Sequence, residues 1–249
     1  MSLAIDNSEE LTASVLAALR QEAQKGNTLQ ESAQRLMEAF RAYFADSIVL
    51  ARTYATIPQR LLPEKDRAFL QSMAQAMGVL PLLGEDCMVL SLLGTSGVEA
   101  AWCDRYASRE HLAVPLISQQ SVAAIPMVAG LIEQLGRSAD WYARTTAPSG
   151  KGPFAVFADS FFVHDAATSR DRSSRLIVPA QEFVRQWNLH SVMGVGGQFG
   201  AGGPILACVF FSRESLLETP KWLMRVPLLL GTFTQAHVAA GRLYAGGEA

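Results

Sequence analysis

Cysteine is scarce in this 249-residue chain, and Cys87, Cys103 and Cys208 stand far apart. An odd number at wide spacing suits neither a disulfide framework nor a zinc site of close ligand pairs, so the thiols are expected to be reduced packing groups. Charge of one sign is lacking too: 21 basic against 23 acidic side chains leave a formal charge of -2. No positive excess would hold the chain on nucleic acid or anionic lipid, and neither is expected as a partner. The longest apolar runs, such as Val79 to Leu83 and Val226 to Leu230, fall far below the ~20 residues that cross a bilayer. Met1-Ser2-Leu3-Ala4-Ile5-Asp6 leads to Glu9 and Glu10 with no basic stretch before an apolar one, so a cytoplasmic location is expected.

Catalytic and nucleotide-binding signatures are missing as well. There is no G-x-x-x-x-G-K-[ST] loop for a nucleotide. Gly94-Thr95-Ser96-Gly97 lacks the G-x-S-x-G spacing of a nucleophile elbow and reads as a plain turn. Gly194-Val195-Gly196-Gly197 precedes a hairpin rather than a helix whose N-terminus would hold a pyrophosphate. His111, His164, His190 and His237 stand singly, without the close pairing a metal site shows.

What is present is a chain with 49% apolar side chains, enough for a full core. Residues 1–80 read as a helical segment. Leu11, Val15, Ala18 and Leu19 make the first stripe, which ends near Lys25-Gly26-Asn27. Thr28 and Glu31 form a capping box, and Leu29, Ala33, Leu36, Met37, Phe40, Phe44 and Ile48 trace a long second helix that Pro58 closes. Pro63 starts a third helix, which Gly78 ends.

After Pro81 the pattern turns to strands. Cys87 to Leu93 is the first, His111 to Ile117 a second, and Ser118 to Leu135 a helix that Pro126 starts or kinks. Residues 137–153 read as a loop, Phe154 to Phe157 as a strand, and 166–175 as a polar mobile stretch. Ser191 to Phe199 and Pro204 to Phe211 flank a glycine-rich link and predict an antiparallel hairpin. A last helix is expected from Pro220 or Pro227 to Tyr244. This order gives an α+β fold, a mainly antiparallel sheet flanked by helices and preceded by a helical segment.

Two stretches carry a family resemblance. Val178-Pro179-Ala180-Gln181-Glu182-Phe183, Trp187 and Asn188 lead into Ser191 to Gly197, and Pro204 to Ser212 follows. Leu90 to Glu99 is followed by Trp102, Asp104-Arg105 and Arg109 to Pro115. Together they resemble the GAF domains, sensory modules of the PAS/GAF superfamily, over roughly Pro81 to Tyr244. The resemblance implies a GAF-like sensory domain over 81–249 with a long C-terminal helix. GAF domains usually regulate a linked effector, whereas no kinase, cyclase or DNA-binding motif is recognisable in this chain. It is therefore expected to work through a separate signalling partner or its own helices.

Trp102, Asp104, Arg105, Arg109 and His111 form the densest cluster of polar and aromatic groups. Folded over the sheet they would suit a small anionic or aromatic ligand, arginine supplying a fork of donors and tryptophan a flat face. The competing reading makes Asp104 and Arg105 a surface ion pair and Trp102 a core plug. In the last helix Leu223, Val226, Leu230, Phe233, His237, Ala240 and Tyr244 are spaced by three and four, a seam for a second subunit's helix or for the chain's own N-terminal helices. His237 on a homodimer seam would act as a pH switch.

The first function read from these features is a non-catalytic module that binds a small molecule or partner and signals through its terminal helices. The alternatives are a docking domain with a filled core, and an enzyme using Cys103, or His111 with Asp104. The sequence names no cofactor: cyclic nucleotides, tetrapyrroles, small acids and no ligand at all stay open.

Overall fold

A computed structural model describes residues 3–5, 9–108, 111–118, 122–123, 125–134, 153–200 and 203–246. Helix α1 spans Glu9–Ala23 and α2 spans Leu29–Tyr43. Thr28 caps α2 by accepting from the Glu31 amide at 3.1 Å, while the Glu31 carboxylate reaches back to the Asn27 amide at 2.7 Å. Two further amides of the first turn, Leu29 and Gln30, donate to the carbonyls of Arg242 and Leu243. The end of the chain thus satisfies donors that a helix N-terminus leaves open.

The second helix does not run on through Ile48 to Pro58. It ends at Tyr43, and Ile48–Pro58 is strand β1, at the centre of the sheet. The reason lies in composition: Ile48, Val49, Thr53, Tyr54, Thr56 and Ile57 favour the pleated surface, and a strand buried on both sides shows no polar alternation. The helical segment expected over 1–80 therefore contains the sheet's central strand.

Helix α3 spans Glu64–Ala76, led in by Pro63 and closed by Gly78 at φ +70. Strand β2 covers Met88–Gly97, β3 Ala113–Pro115, helix α4 Pro126–Gln134, β4 Phe154–Val156 and β5 Phe161–Val163. Helix α5 covers Gln181–Trp187, β6 Ser191–Phe199, β7 Ile205–Ser212 and α6 Arg225–Ala239. All ladders are antiparallel in the order β3-β2-β1-β7-β6-β4, with β5 pairing β6 beside β4. This is the α+β class expected. Apart from Pro153, the loop read over 137–153 lies outside the described residues, as does Leu135.

The turn expected at Gly94-Thr95-Ser96-Gly97 is the end of β2 instead. Helix α2 crosses it so closely that a Cβ on Gly94 would lie 2.6 Å from the Ala33 carbonyl carbon. The Gln34 side chain completes the contact, its Nε2 donating to the Thr95 carbonyl at 2.9 Å and its Oε1 accepting from the Thr95 amide at 3.0 Å. Residues 166–175, expected to be mobile, form turns tied by aspartates: Asp165 accepts from the Ala167 amide and Asp171 from those of Ser173 and Arg175, each at 2.9 Å.

The sheet has an apolar layer on each face. On one, α1, α2 and α6 pack on alternate residues of the strands, with Phe40 stacked on Phe210 at 4.3 Å between centroids. On the other, Tyr54, Leu92, Val192, Val209 and Phe211 meet Val128 and Leu131 of α4, Val184 of α5, and Phe161. The last helix stops at Ala239 rather than Tyr244, because Gly241 at φ +70 reverses the chain. Tyr244 then turns inward, its hydroxyl donating to Ser91 at 2.9 Å.

Gly94→Ala forces α2 off β2 and is expected to lower the unfolding free energy by about 1–3 kcal/mol. An unchanged urea midpoint would contradict the close crossing.

Candidate functional site

Arg52 sits in the middle of β1, flanked in register by Thr95 of β2 and Val209 of β7. Side chains alternate along a strand, so Leu50, Arg52 and Tyr54 point to the face away from α2 and α6. There Leu50 and Arg52 border a cleft of about 550 Å³. Met73, Ala76 and Met77 at the end of α3 form one wall, and Ile125, Pro126 and Met127 at the start of α4 another. Val178, Pro179, Ala180 and Phe183 lead into α5 and close the third side, with Trp102, His111 and Phe211 completing the lining. A second lobe shares Arg52, Trp102, His111 and Phe183 and extends to Ser108, Gln181 and Glu182.

Trp102 is set by its backbone. It lies in a short 3-10 turn, Ala100–Cys103, directly after β2, with the Thr95 hydroxyl donating to its carbonyl at 2.8 Å. A Cβ on Gly97 would stand 2.7 Å from the Trp102 Cβ, so the glycine lets the indole fold back over the sheet. The ring meets Phe183 and Trp187 edge-on at 5.2 and 5.4 Å, and Phe183 meets Phe211 at 5.8 Å. The tryptophan is both wall and packing group.

His111 enters the cleft just before β3. Burial, and then the charge of Arg52, push its pKa down to about 4, so the imidazole is neutral at pH 7. Arg52 Nη1 donates to the Tyr54 hydroxyl at 3.3 Å, and its Nε is buried with no hydrogen-bond partner. It is the single cation among the described residues of the main lobe.

The other expected ligand residues are placed elsewhere. Arg105 is 5% exposed, but it faces α3 and not the cleft: its Nη atoms hold the Asp66 carboxylate and its Nε donates to the Leu92 carbonyl at 2.7 Å. Ser91 donates to the same carboxylate at 3.5 Å and carries the Tyr244 hydroxyl. Burial raises the Asp66 pKa, against the pull of Arg105 and Ser91. Asp104 makes no pair with Arg105; it caps the next turn, accepting from the Tyr106 amide at 2.9 Å. Arg109 lies outside the described residues.

The three thiols are free. Cys208 is buried, with its pKa pushed up to about 12, whereas Cys103 is exposed rather than packed. Cys103 donates to the Gly97 carbonyl at 3.4 Å and does not line the cleft.

The seam of the last helix is consumed within the chain. Leu223, Val226, Leu230 and Tyr244 are buried in the layer that joins α6 to α1, α2 and the sheet. Phe233 is half-buried beside Arg20 of α1, and His237 Nε2 lies 3.3 Å from the Gly26 carbonyl. Of the two partners expected for the seam, the chain's own N-terminal helices are the ones that cover it. No described residue of α1 or α6 lines the cleft, because the sheet lies between.

The roles of Arg105 and His111 separate by experiment. Arg105→Met strands Asp66 and is expected to cost about 3–5 kcal/mol of stability in chemical denaturation, with ligand affinity of the surviving fold unchanged. For His111, the unfolded state binds more protons than the folded one between pH 6.5 and about 4, so stability falls as pH drops through that window. His111 is expected to contribute about 2 kcal/mol less stability at pH 5 than at pH 7.5, and His111→Gln to flatten the slope by that amount. An identical slope in the variant would contradict a buried neutral imidazole.

No family model matches the chain, and no curated protein matches it. Solved structures similar to it include the phycoerythrobilin-bound GAF domain from a cyanobacterial phytochrome, at 15% identity and TM-score 0.43. Another is the phycocyanobilin-bound GAF domain from a cyanobacterial phytochrome, at 14% and 0.45. A third is free methionine-R-sulfoxide reductase from Neisseria meningitidis in complex with its substrate, at 12% and 0.47. Each comparison covers 96% of this chain and 98% of the other. GAF domains, which residues 81–244 resemble in sequence, are thus among the similar structures.

Proposed function

We propose that the chain is a non-catalytic regulatory module that binds a small molecule in the cleft between β1, α3, α4 and α5. The carrying observation is the cleft itself: about 550 Å³, walled by Met, Phe, Trp and Pro side chains around two polar groups. Sites for small molecules have this make-up, an apolar lining with a few placed polar atoms. A docking domain with a filled interior would have no use for it.

The lining chemistry also favours binding over turnover. The enzyme reading needs Cys103, or Asp104 beside His111, but the thiol and that carboxylate point elsewhere. His111, held neutral by burial, has neither as a partner in the cleft.

Output through the terminal helices has a route across the sheet. Leu50, Arg52 and Phe211 face the cleft, while their neighbours Ala51 and Phe210 face α2. A ligand that prefers one setting of β1 and β7 would bias the helices behind them by its difference in affinity for the two. A separate signalling partner would read those helices, and any homodimer must form outside the buried seam. Among the described residues no helix is long and apolar enough to cross a membrane.

An uncharged, environment-sensitive dye such as Nile red tests the cleft without assuming a ligand. The full chain is expected to take up one dye per molecule, and Ala180→Trp, which adds an indole at the edge of the cleft, to weaken uptake with its melting curve intact. Equal uptake by that variant, or none by the full chain, would overturn the reading.

A further inference from the structure

We propose that the cleft is selective for a small amphipathic monoanion, a single carboxylate on a flat apolar body, anchored by the guanidinium of Arg52. This rests on the cleft being a ligand site and names what it takes.

The position of Arg52 is the first argument. Arg52 is half-buried in the middle of a central strand, and a cation that has lost part of its water is stabilised where a counter-charge meets it. Arg105, which is buried, shows what satisfaction looks like in this fold: both Nη atoms on Asp66 and Nε on a carbonyl. Among the described residues Arg52 has one neutral partner, the Tyr54 hydroxyl on Nη1, and a buried Nε with none. The Nη edge of the guanidinium borders the cleft, with the fork geometry that a carboxylate fills through two parallel hydrogen bonds.

The surroundings limit the charge and shape of the guest. Arg52 is the single cation among the described lining residues of both lobes, and Glu182 borders the second, so one negative charge is matched and a second is not. His111 beside it is neutral at pH 7 and offers one hydrogen bond, as donor or acceptor, at no cost in charge. Beyond the polar pair the lining includes the rings of Trp102, Phe183 and Phe211, the thioethers of Met73 and Met77 from α3, and that of Met127 from α4. Rings give a flat face to stack on, and unbranched thioethers adapt to an irregular outline. An aromatic or fused-ring monocarboxylate satisfies charge and shape together.

The test is isothermal titration of the full chain at pH 7 with 1-naphthoate, 1-naphthamide and 1-naphthyl phosphate. The carboxylate is expected to bind at least ~30-fold more tightly than the amide, the size of losing one partner of a buried hydrogen-bonded charge pair. The doubly charged phosphate is expected to bind more weakly than the carboxylate. Arg52→Met should remove the preference for the acid while keeping the amide's affinity; Arg52→Lys should keep part of it. Equal affinity for acid and amide in the unmutated chain, both weakened in Ala180→Trp, would overturn the anchor and leave the cleft as a neutral-ligand site. No binding of any of the three would overturn anchor and cleft together. The acid-to-amide comparison needs no variant, so misfolding of Arg52→Met cannot rescue the proposal.

Discussion

The cost of an unpaired charge inside a sheet organises this molecule. β1 carries a guanidinium at its midpoint, on a face that is otherwise Val, Leu, Tyr and Phe. A fold can meet such a cost by pairing the group, by keeping it near water, or by leaving room for a counter-ion that comes and goes. The chain uses the first device for Arg105, through Asp66, Ser91 and Tyr244. For Arg52 it leaves room. The cleft exists because α3, α4 and α5 stop short of covering β1, and their ends supply its walls.

The two faces of the sheet then divide the labour. Behind β1 the layer is closed: Phe40, Phe44, Phe210 and Trp222 stack, and the chain's end caps the first turn of α2. In front it is open around two polar groups. Buried Asp66 and Arg105 join α3 to the turn after Trp102, and Tyr244 ties the C-terminal segment to the same point. The side chains that frame the cleft and those that hold the terminal helices are therefore linked through β2 and its following turn.

Much of this was legible in order along the chain. The capping box at Thr28, the Pro63 and Gly78 bounds of α3, and the glycine-linked hairpin of β6 and β7 rest on local rules and stand where they were read. What failed needed tertiary knowledge. Phe40, Phe44 and Ile48 keep helical spacing across the true end of α2, and β1, buried on both faces, has no alternation to correct it. Arg52 was hidden inside that misread segment; a lone cation in a run of Val, Leu, Thr, Tyr and Ile was the available signal. Trp102 and His111 were legible as neighbours in sequence, and the structure brings both to the cleft. Arg105 belonged to the same cluster, but its partner is 39 residues away and invisible to any local rule.

The most direct measurement is the guanidinium Nη–H resonances of Arg52 in a ¹⁵N-labelled chain during titration with 1-naphthoate. A bound carboxylate gives the protons at the cleft edge a charged acceptor, so the account predicts a downfield shift and slowed exchange at Arg52, with Arg105 unmoved. A resonance at Arg52 that stays in place while the ligand saturates elsewhere would contradict it.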